Sequence, residues 1–246
     1  ATGQPGSLKA AQFLASEFQR IGLEPLPGAT GFMQEFPAYE SSVTSLAVTL
    51  NGEALPADRV LARTTQPELT WTEKDSVQVI IIGPTDKVQN RLREAFRAGK
   101  NTLVLFDPAQ AAGFKSLAEQ FGKPQLRAQQ APGATSSVWV LAAGPAPRTF
   151  RVLASAATKI VTLRNVVGYL PGRDPARKTE KIIFSGHYDH LGVLKPVAGD
   201  SIANGADDDA SGTTAVVALA EYFKKRRDNA RSLVFVARHV QHRNDW

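Results

Sequence analysis

Two stretches carry residue types and spacing that could do chemistry. The first is Ser185-Gly186-His187-Tyr188-Asp189-His190-Leu191-Gly192, and the second is Asn204-Gly205-Ala206-Asp207-Asp208-Asp209-Ala210-Ser211-Gly212. A His-x-Asp closes an apolar run, and an acidic cluster then opens a helical pattern, which together make half of a two-metal site. Imidazole and carboxylate suit zinc, and one carboxylate can bridge two ions held close together. Asp207-x-Asp209-x-Ser211-Gly212 also imitates the opening of a calcium-binding EF-hand loop. That loop requires a bidentate Glu at its twelfth position, which here is Ala218 inside an apolar helical stretch, so calcium is excluded.

The elements around these residues would position them. Lys181-Ile182-Ile183-Phe184 reads as a strand buried on both faces. His187 then falls just past its carboxyl end, where open α/β sheets place their ligands. Gly212 to Phe223 reads as a helix with Ala215, Val216, Leu219, Ala220 and Phe223 on one face. The Asp cluster would sit at its N-terminus, where the macrodipole favours carboxylates.

His-Tyr-Asp-His-Leu-Gly followed by Asn-Gly-Ala-Asp-Asp-Asp-Ala-Ser-Gly resembles the co-catalytic zinc aminopeptidases of metallopeptidase family twenty-eight. The resemblance implies that His187 is a ligand of one zinc and that Asp189 orients His187 through its other ring nitrogen. It implies that Asp208 bridges both zincs and that Asp209 is its supporting neighbour. Asp207 aligns with a position that varies in chemistry among relatives and is not taken as a ligand, and His190 matches a position that is not a ligand. A complete relative hydrolyses the bond after a peptide's N-terminal residue, and cousins of the fold act as carboxypeptidases or cyclise N-terminal glutamine. The resemblance also implies a secreted or periplasmic protein.

In that family the next strand ends in a Glu-Glu pair, the first Glu being the general base and the second a zinc ligand. Arg231 to Ala237 matches the strand, but Arg238-His239-Val240-Gln241-His242-Arg243-Asn244-Asp245-Trp246 contains no Glu. His239 and His242 could in principle replace a base or ligand, yet an unrelated tail over 238–246 is the expectation. The chain is accordingly expected to be truncated at both ends, to bind zinc weakly, and to be inactive as a peptidase. The alternative is a non-catalytic peptide- or protein-binding module with a vestigial metal site.

Composition narrows the remaining classes. The chain has 246 residues, 43% hydrophobic and 21% charged, values of a globular protein. No apolar run approaches the roughly 18 residues of a membrane span, and the N-terminal residues lack a signal-peptide h-region. The net charge of +6 invites a nucleic-acid partner, but the basic residues are scattered and no basic stretch carries interleaved aromatics. The one dense run, Lys224-Lys225-Arg226-Arg227, complements the C-terminal end of a helix dipole. With no cysteine, thiolate zinc sites, disulfides and cysteine nucleophiles are excluded.

Along the chain, Ser7 is expected to cap a helix with Leu8, Ala11, Leu14, Phe18 and Ile21 inward, closed by Gly22. Phe32 to Pro37 reads as extended. Val43 to Leu50 alternates as a strand into the hairpin turn Asn51-Gly52. Strands are predicted at Val77–Ile82, Thr102–Phe106 and Ser137–Leu141, helices at Val88–Ala98 and Ala109–Phe121, and a loop at Gln125–Ser136. Ile160 to Gly172 resembles the family's first main catalytic strand pair. The fold class predicted is α/β: an incomplete three-layer α/β/α zinc-peptidase domain interrupted by a strand-rich insertion. Residues 1–41 and 157–246 would form the catalytic part. By placement, 42–156 resembles a protease-associated domain.

Overall fold

The computed structural model describes residues 2–97, 99–127, 129 and 135–239. Its elements begin with α1 (Pro5–Ile21), β1 (Met33–Leu50), β2 (Glu53–Ala54), β3 (Val60–Arg63), β4 (Glu68–Thr72) and β5 (Val77–Ile82). The chain continues through α2 (Val88–Arg97), β6 (Asn101–Phe106), α3 (Ala111–Phe121), β7 (Gln125–Arg127), β8 (Ser137–Leu141) and β9 (Phe150–Leu170). Last come β10 (Lys181–His187), β11 (Gly192–Val197), β12 (Asp200–Ala203), α4 (Ser211–Arg226) and β13 (Ser232–Arg238). The fold is mixed α/β, and the chain divides into two compact units after Pro37 and after Ile160.

The unit that holds the chemistry is built on β10, β13 and the end of β9. β13 pairs parallel with β10 from Lys181↔Ser232 to His187↔Arg238, and antiparallel with β9 from Leu233↔Leu170 to Ala237↔Val166. Alternate residues of β13, Leu233, Phe235 and Ala237, point to one face. They pack there against Ala11, Leu14 and Phe18 of α1 and Val216 and Ala220 of α4. The helical and strand periods of the sequence thus meet on one face. Phe184 completes this core, its ring centroid 5.9 Å from that of Phe223 and 5.5 Å from that of Phe235. β11 and β12 form a separate two-stranded ribbon with Val193, Val197 and Ile202 exposed.

Several local expectations need correction here. The run Lys181–Phe184 is not buried on both faces: β10 is an edge strand, and Ile182 and Ile183 are 41% and 64% exposed. Within the run only Phe184 is packed against α4 and β13, so the apolar run reports strand type and not coverage. β13 itself is interior, and the open edge belongs to its neighbour β10. Ser7 does not cap α1. Gln4 holds the cap position, Pro5 starts the helix, and the Ser7 hydroxyl donates to the Gln4 carbonyl at 2.7 Å. Proline is preset for that first helical position.

The second unit is a layered structure around the sheet β3-β8-β6-β5. β5, β6 and β8 run parallel, and β3 pairs antiparallel with β8. On one face Ile80, Ile82, Val104, Phe106 and Trp139 meet Leu92 of α2 and Phe114 and Phe121 of α3. On the other, Leu103, Leu105, Val138 and Val140 meet Leu69 and Trp71 of β4 and Val152 of β9. The central strand β6 is therefore buried on both sides, as a parallel strand should be.

Two segments read as separate pieces are continuous strands. Met33 to Leu50 is one strand with Pro37 inside it, and the strand ending at Leu170 begins at Phe150. Asn51 and Gly52, at φ 49° and 88°, make the expected turn between Leu50 and Glu53. Gln125–Arg127, expected in a loop, pairs with Tyr39–Ser41 as β7. A three-residue strand with one apolar side chain leaves too weak an alternation to read. Among the described residues no helix is long and apolar enough to cross a membrane.

Candidate metal centre

The end of β10 delivers His187, and the irregular turn Ala206–Ala210 ahead of α4 delivers the acidic cluster. The two are drawn together through the backbone. The His187 N–H donates to Asp209 Oδ2 at 2.9 Å, and the His187 carbonyl accepts from Thr213 Oγ1 at 2.7 Å. Asp209 Oδ1 also accepts the Gly212 N–H at 3.1 Å, tying the cluster to the first turn of α4. The strand can come this near only because residue 186 is glycine, since a Cβ there would lie 2.7 Å from the Thr213 nitrogen. The Asp208–Asp209 peptide bond is cis.

This frame fixes the imidazole. His187 Nδ1 lies 3.0 Å from the Asp189 main-chain carbonyl, which can only accept, so Nδ1 carries the proton. Asp208 Oδ1 lies 2.9 Å from Nε2, at hydrogen-bond distance. Imidazole nitrogen and carboxylate oxygen are both donor types that zinc takes, and an ion between them would replace the proton they share. Ligands at about 2.0–2.1 Å on a tetrahedral zinc stand about 3.3 Å apart, so the pair is near the separation that a shared ion requires. His187 and Asp208 fit as two zinc donors. Among the described residues no group of three His, Cys, Asp or Glu side chains converges, so the donor set is one short of the three protein ligands that catalytic zinc ordinarily has.

The remaining acids do different work. The Asp189 carboxylate is buried, and its Oδ1 lies 3.8 Å from His187 Nδ1, the nearer partner of that nitrogen being the Asp189 carbonyl. Its Oδ2 accepts from Thr2 Oγ1 and sits 3.1 Å from His239 Nδ1. Asp209 holds backbone, as described. His190 stands beside the pair, with Nδ1 3.8 Å from Asp208 Oδ2.

His239, weighed from sequence as a replacement base or ligand, is bonded to Asp189 and Tyr188. Its Nε2 lies 2.8 Å from the Tyr188 phenol oxygen, and that phenol gives its single proton to the Arg164 carbonyl at 2.6 Å. Both ring nitrogens are thus engaged by Asp189 and Tyr188. Burial pushes the Tyr188 phenol well above the ordinary tyrosine range, and the Asp189 charge pushes it further. His242 lies outside the described residues.

Sequence reasoning missed Thr213, Tyr188 and Arg164 as parts of the frame. Their only signal was adjacency: Thr213 follows Ser-Gly at a helix start, and Tyr188 sits between the two site residues.

A search of curated proteins finds no match to this chain. The chain is similar to the solved structure of an aminopeptidase from Aneurinibacillus sp. strain AM-1, with 18% identity and a TM-score of 0.49. It is also similar to a peptidase M28 precursor from Shewanella amazonensis SB2B, with 12% identity and a TM-score of 0.39. Both alignments cover 96% of this chain, which spans 58% of the first protein and 59% of the second. Residues 165–239, which include His187, Asp189, Asp208 and Asp209, match the model of peptidase family M28.

Proposed function

We propose that residues 157–239 form the metal-holding half of a zinc aminopeptidase site, acting on the N-terminal residue of peptides, and that this sequence by itself is catalytically silent. The observation that carries the reading is the 2.9 Å approach of His187 Nε2 to Asp208 Oδ1, within a segment that matches a peptidase family. His187 and Asp208 would hold zinc. Bound there, zinc would polarise a scissile carbonyl and acidify a water. The chain's own residues prepare this: the Asp189 carbonyl fixes the tautomer of His187, and Asp209 and Thr213 hold its backbone. Residues 238–246 contain no Glu, so the general base that the resemblance calls for is not among them. General-base catalysis is worth about 10²–10⁴-fold.

The same resemblance supports a secreted or periplasmic setting and a protease-associated character for residues 42–156. The strand-rich layering of the second unit agrees with that character.

Zinc titration by calorimetry tests the site independently of turnover. Wild type is expected to show weak, EDTA-sensitive binding that His187→Ala and Asp208→Ala both remove. Identical traces for the three proteins would overturn the assignment. An aminoacyl p-nitroanilide with excess zinc should give no turnover, and turnover that vanishes in His187→Ala would refute the silence proposed here.

A further inference from the structure

The second unit contains a pocket that the peptidase reading leaves unused. Its volume is about 160 Å³, and its lining brings together Arg63, Lys100 and Arg127 with the hydroxyls of Thr102, Ser136 and Ser137. No carboxylate lines it. Among the described residues Lys100 and Arg127 take part in no ion pair, so their charge faces the pocket without a protein counter-charge.

The hydroxyls are fixed by their own bonds, and of the three only Ser137 keeps a proton to give. Ser137 Oγ accepts from Thr102 Oγ1 at 2.8 Å and from Trp139 Nε1 at 2.6 Å. With both acceptor positions used, what Ser137 retains is its O–H. Ser136 Oγ is spent on Thr64 Oγ1 at 2.7 Å, which anchors the wall. Arg63 is held between two rings, its guanidinium carbon 4.4 Å from the Phe121 centroid and 5.2 Å from that of Phe96. Such stacking orients the fork before any ligand arrives. Positive charge with oriented donors selects an anion, and the planar fork matches a carboxylate two bonds at a time. Phe96 also lines the pocket and is 39% exposed. It offers an apolar wall to the carbon skeleton beside a carboxylate, which inorganic phosphate would leave bare.

We propose that this pocket binds the carboxylate of a peptide, through Arg63, Lys100 and Arg127. The site is separate from His187 and Asp208 and does not depend on them.

The indole N–H signal of Trp139, bonded to Ser137, reports on occupancy in ¹⁵N-labelled protein. The probes are N-acetyl-Ala-Ala with a carboxylate terminus, the same dipeptide as its amide, N-acetyl-Asp-amide and inorganic phosphate. A saturable shift with either carboxylate probe and none with the dipeptide amide is expected, the two carboxylate probes separating a chain terminus from an acidic side chain. The double substitution Lys100→Gln, Arg127→Gln should weaken it at least about fivefold, as loss of charge-assisted hydrogen bonds does. Lys100→Arg with Arg127→Lys should keep most of the affinity. A response to phosphate alone, no response to any carboxylate, or equal affinity in the Gln variant would each overturn the proposal.

Discussion

Strands β6 and β10 carry similar apolar runs, Thr102–Phe106 and Lys181–Phe184, yet they stand in different surroundings. β6 lies between β5 and β8, with α2 and α3 over one face and β4 and β9 over the other. β10 has one partner strand, and Ile182 and Ile183, on its alternate faces, are both exposed. Hydropathy along a strand is thus a property of the strand. Burial is a property of what surrounds it, and only β6 has surroundings on both faces. Exposed apolar edges of this kind favour association with other chains.

Substitution should expose that difference most sharply. Leu103→Ala in β6 should lose about 2–5 kcal/mol of unfolding free energy, the usual range for emptying a packed site. Ile183→Ala should stay within about 0.5 kcal/mol, as surface changes do. Urea denaturation of both variants checks this, and similar losses would break the comparison. Hydrogen exchange offers the next largest contrast. Amides of 101–106 and 137–141 should exchange more slowly than those of 181–187, because opening an edge strand disrupts fewer packed contacts. Slower exchange in 181–187 would reverse the ranking of the two regions.

A smaller effect distinguishes the regions by pH. The buried Tyr188 phenol has its ionisation raised, while an unfolded tyrosine ionises near pH 10. The neutral phenol's contribution to stability is fully present below about pH 10 and is lost as pH rises toward the folded value. The urea midpoint should therefore fall more steeply above about pH 10 in wild type than in Tyr188→Phe. Equal slopes would mean that burial of this phenol is not felt on unfolding. The smallest expected change is at Asp189. Asp189→Ala should leave the His187 tautomer unchanged, read from its ring ¹⁵N shifts, because a main-chain carbonyl holds Nδ1.

Much of this was legible in the residues. Alternation and helical spacing gave β5, β8, α2 and α4 to within a few residues, since each buries a regular face. The sequence pair His187 and Asp208 meets in space, drawn together by Asp209, Thr213 and the absent side chain of Gly186. What could not be read was anything that depends on a partner element. The exposure of β10, the pairing of β7 with β1, and the capture of His239 by Asp189 and Tyr188 are examples. The cationic pocket was equally hidden, because Arg63, Lys100 and Arg127 are far apart in sequence and meet only through the folding of the second unit.

The bond from His187 Nδ1 to the Asp189 carbonyl has a consequence for how such a centre can be dissected. No codon change at position 189 removes a peptide oxygen, so every natural substitution there, proline included, retains the acceptor. A survey of point variants would therefore credit the side chains around His187 and miss the group that sets its tautomer. Chemical synthesis can reach it: replacing the amide that joins Asp189 to His190 by an ester weakens that oxygen as an acceptor and leaves every side chain in place. The orientation of this imidazole is written in the main chain, beyond the reach of the genetic alphabet.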